Sequence, residues 1–474
     1  MTDSATDQGT PGVPVDGLRR PRVLCVGAYE RDNFGDLLFQ MVTAPYLAGM
    51  DVVYAAPFAA DMTELTGLDV PAFGPLLDRE QFDAVWTVGG EVGGTSVEYA
   101  YWAARGSAAL AAYRAAGPQE RVALLAEHHG EVPVESPYLP RVSAYPRNRL
   151  AASVLNSVGL TAVGALPPAR KAGTLGILRE ATRISVRDRR ASALLAEEGI
   201  AHTLDPDLVH AIALSRPRPE TTRGDYVLLQ ISEKQLRTIG VDRFARTIIG
   251  SAALRGRPVR LFSAGTAPGH DSLELYAELR DAVRAIDPAR PIEVSATLDP
   301  WERVDEIAAA TLWIGSSLHG RIVACAYGVP RVSLAKRKLD EYAQTWDPDM
   351  PWGIDERTLD AAAAKALALG ATGTDDRGRS LAAAADASIR AAVAHVQQWV
   401  ADGPPPGRIE TLLDERGRQW SRLLLELAKL EEQRKAEAAT PARRAPAPRG
   451  LRRVRSFLGR LRRRIVRSLP RRGR

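Results

Sequence analysis

The sequence predicts an α/β fold of two Rossmann-like domains facing a cleft, followed by a C-terminal helical extension. Three observations carry that expectation. Strand-length apolar runs alternate with helix-length stretches twice along the chain, and strands alternating with helices imply a doubly wound parallel sheet. A segment rich in Pro, Arg, Thr and Gly at 217–224 separates the two alternations, as an inter-domain linker does. The 474 residues are enough for two cores and appendages.

Residues 1–20, poor in apolar periodicity, read as a disordered leader. The N-terminal domain is expected over 21–215. Its first β-α-β unit runs from an apolar strand at 22–27 through a loop at 29–35 and a helix at 36–47 to a strand at 52–54. Further strands are expected at 84–88, 122–126, 184–186 and 203–204. The C-terminal domain, 222–402 with trailing helices, offers strands at 226–231, 259–262, 293–294, 312–314 and 332–334. Helices are expected between them near 238–254, 271–286, 301–309 and 318–327, and then at 357–370 and 380–401.

After Gly403-Pro404-Pro405-Pro406-Gly407, apolar residues at offsets of three and four mark an amphipathic helix over 408–437. It reads either as docked on the catalytic body or as a homodimer contact in a short coiled coil. Residues 441–474 form a basic amphipathic tail in which Leu451, Val454, Leu458, Leu461, Ile465 and Leu469 fall at helical spacing among arginines. An apolar stripe is superfluous for electrostatic contact with phosphates alone, so 451–469 is expected to lie on an anionic membrane surface. A solvated tail and contact with nucleic acid or an acidic partner are the alternatives.

The net charge of +6 belongs to this tail, whose 14 arginines and no acids follow a body of net −8. An acidic body gives no support to a nucleic-acid-binding face, and no specific nucleic acid is expected as partner. No apolar run approaches membrane-spanning length and residues 1–20 lack a secretory h-region. The expected location is therefore cytoplasmic, peripheral on the inner face of the plasma membrane through the tail. Cys25 and Cys325 sit in apolar runs and read as inert core residues, with neither a disulfide framework nor a thiolate metal site.

The densest chemistry lies at Gly315-Ser316-Ser317-Leu318-His319-Gly320. A strand at 312–314 runs into Ser316 and Ser317, either a good N-cap, and a helix that ends at Gly328 before Pro330. His319 falls in the first turn, where free N–H groups and the dipole favour an anion and an imidazole can move a proton. A capping or surface histidine is the plainer reading.

This segment, continued by Arg321 to Pro330, resembles the late motif of the polysaccharide pyruvyl transferases. Three earlier stretches agree in order: Gly27 to Asp36 with Asn33, Gly35 and Asp36; Asp83 to Gly90, a strand running into glycines; and Ile184-Ser185-Val186-Arg187-Asp188 followed by Asp205-Pro206. The resemblance spans about 22–346 and implies transfer of the enolpyruvyl unit of phosphoenolpyruvate to a sugar hydroxyl, giving a pyruvate ketal and phosphate. It implies His319 and Arg187 as catalytic residues, in a two-domain arrangement of the GT-B type. Asn33, Gly35, Asp36, Gly89, Gly90, Glu91, His128, Ser316, Ser317, Leu318, Gly320 and Lys336 are the candidate substrate-binding set. The implied partners are phosphoenolpyruvate and a glycan or lipid-linked sugar acceptor, with no cofactor and no metal.

The sequence departs from the family twice. Ser317 stands where many members carry arginine, so a cation such as Lys336 or Arg321 would have to replace it in space. Glu91 interrupts the glycine cluster, where it would suit an acceptor hydroxyl better than an anionic donor. Plainer readings stand beside these: an Arg187–Asp188 ion pair, a turn at Asp205-Pro206, a helix cap at Asn33–Asp36, and a metal role for His128-His129. The rival functions are a nucleotide-sugar glycosyltransferase of the same fold and a non-catalytic scaffold of a glycan-assembly complex.

Overall fold

The computed structural model describes residues 19–129, 136–217, 224–371 and 376–439. Met1–Gln419 and Trp420–Arg474 are separate compact units, and both large sheets belong to the first. In chain order the first half has strands Arg22–Val26 (β1), Asp51–Ala55 (β2), Ala60–Met62 (β3), Leu68–Val70 (β4), Ala84–Val88 (β5), Ala152–Val158 (β6), Arg183–Val186 (β7) and Thr203–Leu204 (β8). The second half has Val227–Gln230 (β9), Val259–Leu261 (β10), Ile292–Val294 (β11), Leu312–Gly315 (β12) and Arg331–Ser333 (β13).

The first sheet has the order β2-β1-β5-β6-β7-β8 and the second β11-β10-β9-β12-β13, and every pairing in both is parallel. These are two Rossmann-like halves. Their strands read as continuous apolar runs because both faces are covered by helices, as in the wholly buried β5 and β9. Strand order reverses between β1 and β5 in the first sheet and between β9 and β12 in the second. Crevices at the carboxyl ends of such strand pairs are where open α/β sheets bind ligands.

One expected strand is corrected. Residues 122–126 lie inside a helix, Pro118–His129. Its mixture of Glu, Gln, Arg, Ala and Leu favours helix over strand. The strand that completes the sheet is β6, and β3 and β4 pair as a separate small antiparallel ribbon. Cys25 and Cys325 are both buried, and burial pushes the Cys25 thiol well up.

The helix Arg408–Ala439 spans the boundary of the two units. Its first turns pack on the first half, with Leu412 buried and Arg141 donating to Gln419 Oε1 at 2.6 Å. Ile409 and Leu413 are exposed there, as are Trp420, Leu424, Leu425 and Leu430 within the second unit. The leader through residue 18, the linker at 218–223 and the tail 441–474 lie outside the described residues. Among the described residues no helix is long and apolar enough to cross a membrane.

Candidate functional site

Both strand reversals open on one cavity of about 220 Å³. From the first half come Asn33, Asp36 and Tyr99; from the second come Gln230, Ser232, His270, Asp271, Ser316, Ser317, Leu318, His319, Lys336 and Lys338. The pieces are delivered by the carboxyl ends of β9 and β12 and by the loop between β1 and the helix Phe34–Thr43.

Beyond β12 the chain turns into the helix Leu318–Ala326 as expected. Ser317 is its N-cap, its hydroxyl accepting from Gly320 N at 3.2 Å, and Gly328 at φ 64° stops it. Ser316 is held by Gln230, whose Oε1 accepts from Ser316 N at 2.8 Å. Gly320 is small because the Trp313 ring fills its Cβ position, 2.5 Å from Trp313 Cζ2.

His319 is wedged between the halves. Phe39 meets it edge-on at 5.0 Å between ring centroids. Gly35 lies against its Nδ1 edge. Its Nε2 stands 3.6 Å from Asp207 Oδ2, and that oxygen also pairs with Arg187 Nη1 at 2.5 Å. The first distance is that of an ion pair and not of a hydrogen bond. Burial alone would raise the Asp207 pKa, but Arg187 and then His319 outweigh it and hold the carboxyl well below the usual range. Asp207 is fixed further by its own N–H, donated to Tyr342 Oη at 2.9 Å, and by Val209 N on its Oδ1 at 3.0 Å.

Arg187 itself is 1% exposed and does not line the cavity. Its Nη1 is spent on Asp207, and its Nη2 has no hydrogen-bond partner among the described residues. The alternative Arg187–Asp188 pair does not form, since Asp188 instead caps the helix Arg189–Glu197 through Ala191 N. Asp205 accepts from Ser388 Oγ at 2.7 Å, away from the cavity.

Asn33 and Asp36 belong to a buried network on the opposite wall. Asp36 accepts from Asn33 Nδ2 at 2.6 Å and from Arg31 Nη2 at 2.9 Å, and Arg31 also pairs with Glu30 at 2.7 Å. Gly89 and Gly90, at φ 58° and 79°, end β5. They turn the chain beneath Phe39, whose ring occupies the Gly89 Cβ position. Glu91 follows, its Oε1 buried without a partner among the described residues and its Oε2 4.0 Å from Lys338 Nζ. Gly89, Gly90 and Glu91 stand outside the cavity lining. His128 lies in the helix Pro118–His129, and its side chain is outside the described residues.

The charge missing at Ser317 is not supplied by Arg321. That side chain is buried, pairs with Asp347 at 2.8 Å and donates to the carbonyls of Asp347, Met350 and Pro351. Lys336 and Lys338 are the cations at the cavity. The cleft walls lower both ammonium pKa values by desolvation, and open water at the mouth tempers it, since both side chains are exposed.

Asp207, Gln230, Asp271 and Lys338 were not read from the sequence as site residues. A usable signal existed for two of them: Gln230 is a polar end to an apolar strand, and Asp207 follows the Asp205-Pro206 turn. Asp271 is 8% exposed, and burial raises its carboxyl to about 7 despite N–H groups from Ala264 and Gln230.

No curated protein matches the chain. The fold is similar to that of the putative UDP-N-acetylglucosamine 2-epimerase from Listeria monocytogenes, at 12% identity and a TM-score of 0.49, covering 80% of this chain and 98% of that one. Sucrose-phosphate synthase from Thermosynechococcus elongatus is similar at 14% identity and a TM-score of 0.44, covering 81% and 100%. UDP-GlcNAc 2-epimerase from Methanocaldococcus jannaschii in complex with UDP-GlcNAc and UDP gives 12% identity and a TM-score of 0.45, covering 74% and 93%. The family that matches the sequence is described as polysaccharide pyruvyl transferase, and its match over residues 142–335, which hold Arg187, Asp207, Asp271 and the 315–320 segment, identifies that stretch with a family of transferases.

Proposed function

We propose that the protein transfers the enolpyruvyl unit of phosphoenolpyruvate to a sugar hydroxyl of a cell-surface glycan precursor, giving a pyruvate ketal and phosphate. The observation that supports this reading is the set of groups at one cavity: His319 on Asp207 and Arg187, at the start of a helix, beside Lys336 and Lys338. Phosphoenolpyruvate carries a phosphate and a carboxylate, which call for cations and backbone donors. His319 donates a proton to its methylene carbon while C2 takes the sugar oxygen. Asp207 steadies the imidazolium, and Arg187 keeps Asp207 ionised and in place, acting as a positioning residue.

Phosphoenolpyruvate is a cytoplasmic metabolite, so on this reading the protein works in the cytoplasm. The basic stretch 451–469 would then bring it to the anionic inner leaflet beside a lipid-linked acceptor, with 408–437 as a homodimer contact. Truncation after Thr440 is expected to weaken binding to anionic vesicles and to leave donor binding unchanged.

The test of the donor is thermal stabilisation of the purified protein, followed by phosphate release. Phosphoenolpyruvate is expected to raise the melting temperature and UDP-sugars are not, with release lost in His319→Ala. Stabilisation by UDP-sugars alone would make it a glycosyltransferase. Unchanged glycan assembly in cells carrying His319→Ala would make it a scaffold.

A further inference from the structure

We propose that Asp271 is a second catalytic residue, the base that takes the proton of the attacking sugar hydroxyl, and that Gln230, Ser232, His270 and Asp271 form the acceptor wall. This deepens the pyruvyl transferase reading and rests on it.

Asp271 lines the same cavity as His319 but hangs from a different element, the loop between β10 and the helix Leu273–Ile286. Its Oδ1 accepts from Gln230 Nε2 at 2.8 Å and its Oδ2 from Ala264 N at 2.7 Å. Each oxygen of a carboxylate can accept twice, so with Gln230 and Ala264 bonded and the Tyr276 hydroxyl also against the carboxyl, one acceptor position is left for a substrate O–H. The two hydrogen bonds fix the carboxyl without neutralising it, as a preorganised base requires. Gln230 also holds Ser316 through its Oε1, so one side chain sets the base relative to the segment bearing the acid. Tyr99, 40% exposed, lines the same cavity and brings an aromatic ring to it.

The chemistry closes with this pair. The first hydroxyl gives its proton to Asp271 and its oxygen forms a bond to C2 of phosphoenolpyruvate. The electron pair of the C2–C3 double bond takes a proton from the His319 imidazolium, leaving a methyl group and a phosphorylated ketal carbon. The second hydroxyl then gives its proton to neutral His319 and its oxygen bonds to C2 as the C2–O bond to phosphate breaks. Protonated Asp271 gives its proton to the departing phosphate. Hydrogen phosphate leaves, and both residues return to their starting states.

A base works best near the pH of the cell, and burial has raised Asp271 to about 7. The groups that face it are Lys336 after β13, Tyr276 on the following helix, and the adjacent His270. His270 is itself lowered by burial and coupled to Asp36, Arg31, Lys336 and Asp32.

The test measures phosphate release from phosphoenolpyruvate by the full chain, with methyl hexopyranosides bearing a free 4,6-diol and with water as the only acceptor. Melting curves with and without phosphoenolpyruvate are recorded for the same proteins. Asp271→Asn is expected to keep the donor-induced stabilisation and lose release on the order of 100-fold or more, to water as well as to sugar. The parent is expected to lose rate below about pH 7, a limb absent from the residual rate of Asp271→Asn and displaced in Asp271→Glu. Release within a few-fold of the parent, or an unchanged acid limb, overturns the role of Asp271. A parent that phosphoenolpyruvate does not stabilise overturns the donor reading instead, so the two failures separate. Gln230→Leu, which frees Asp271 from one restraint, is expected to lower kcat more than the donor KM.

Discussion

Gly35 has no room for a side chain because His319 occupies it: a β-carbon there would sit 1.7 Å from His319 Nδ1. The Asn-x-Gly-Asp stretch and the Leu-His-Gly segment, nearly 300 residues apart in sequence, are thereby one packing unit. Gly35→Ala is expected to push the imidazole off Asp207, costing activity and about 1–3 kcal/mol of stability through overpacking. In a His319→Ala background the same change loses its clash. Because residue 35 lies in the helix Phe34–Thr43, alanine should there be neutral or stabilising by about 0.5–1 kcal/mol. Urea unfolding of the four proteins checks the sign reversal, and an equal cost in both backgrounds would sever the link.

Asp207 is the shared partner of buried Arg187 and of His319, so its loss should be felt twice. Asp207→Asn leaves Arg187 buried and unpaired, at a cost of about 3–5 kcal/mol, and removes the counter-ion of His319. The pH dependence follows from the depressed carboxyl. Protonation is harder in the fold than in the open chain, so the stability contributed by Asp207 is complete above the unfolded value of 3.8 and drains away as pH falls below it. Denaturation between pH 5 and pH 2 is therefore expected to be steeper in the parent than in Asp207→Asn.

The sequence exposed the parts of this molecule that depend on local pattern. Short apolar runs alternating with helix-like stretches located ten of the eleven parallel strands, and Ser317 followed by Gly328 and Pro330 located the helix bearing His319. The strand that escaped, β6, carries Ser153, Asn156 and Ser157 within its span, all buried. Two of them bond far along the chain, Ser157 Oγ to Pro206 O at 2.9 Å and Asn156 Nδ2 to Ser388 Oγ at 2.9 Å. No local pattern announces such partners. For the same reason the sequence offers Arg187 only as a catalytic residue or as the partner of Asp188, whereas it pairs with Asp207, 20 residues on. Asp271 gave no signal, since its chemistry comes from a cavity that exists only after both halves have folded.

Burial of Asp271 should also be visible in stability, apart from catalysis. Its carboxyl is raised from 3.8 to about 7, so the fold favours the neutral form. Stability tied to this group is complete below 3.8 and is lost as pH rises to about 7. At about 1.4 kcal/mol per pH unit the loss is about 4 kcal/mol. Asp271→Asn, neutral throughout, should gain on the parent steadily between pH 4 and pH 7 and hold the gain above it. Melting temperatures across that range decide the matter. A constant offset would mean that Asp271 titrates as an ordinary carboxyl.

Glu91 and Lys338 set the last expectation, because they oppose each other at the cavity edge. Lys338 Nζ is 4.0 Å from Glu91 Oε2, with the two side chains 43% and 24% exposed. A pair so open to water is weak and screened by salt, so an anion can take Lys338 from it. Lys336→Met and Lys338→Met should each weaken phosphoenolpyruvate binding, by about tenfold if each loses one charged hydrogen bond. Glu91→Gln should act in the opposite sense, tightening binding a few-fold by freeing Lys338 and removing a like charge from the approach of a trianion. Ser317→Ala should cost about 1 kcal/mol of stability through the lost cap and, on the proposed reading that Lys336 and Lys338 hold the donor, leave donor affinity alone. Calorimetric titration at low and high salt checks all four. The Glu91 and lysine effects should shrink together as salt rises, and a Glu91→Gln protein that binds more weakly than the parent would show that Glu91 supports the donor instead of resisting it.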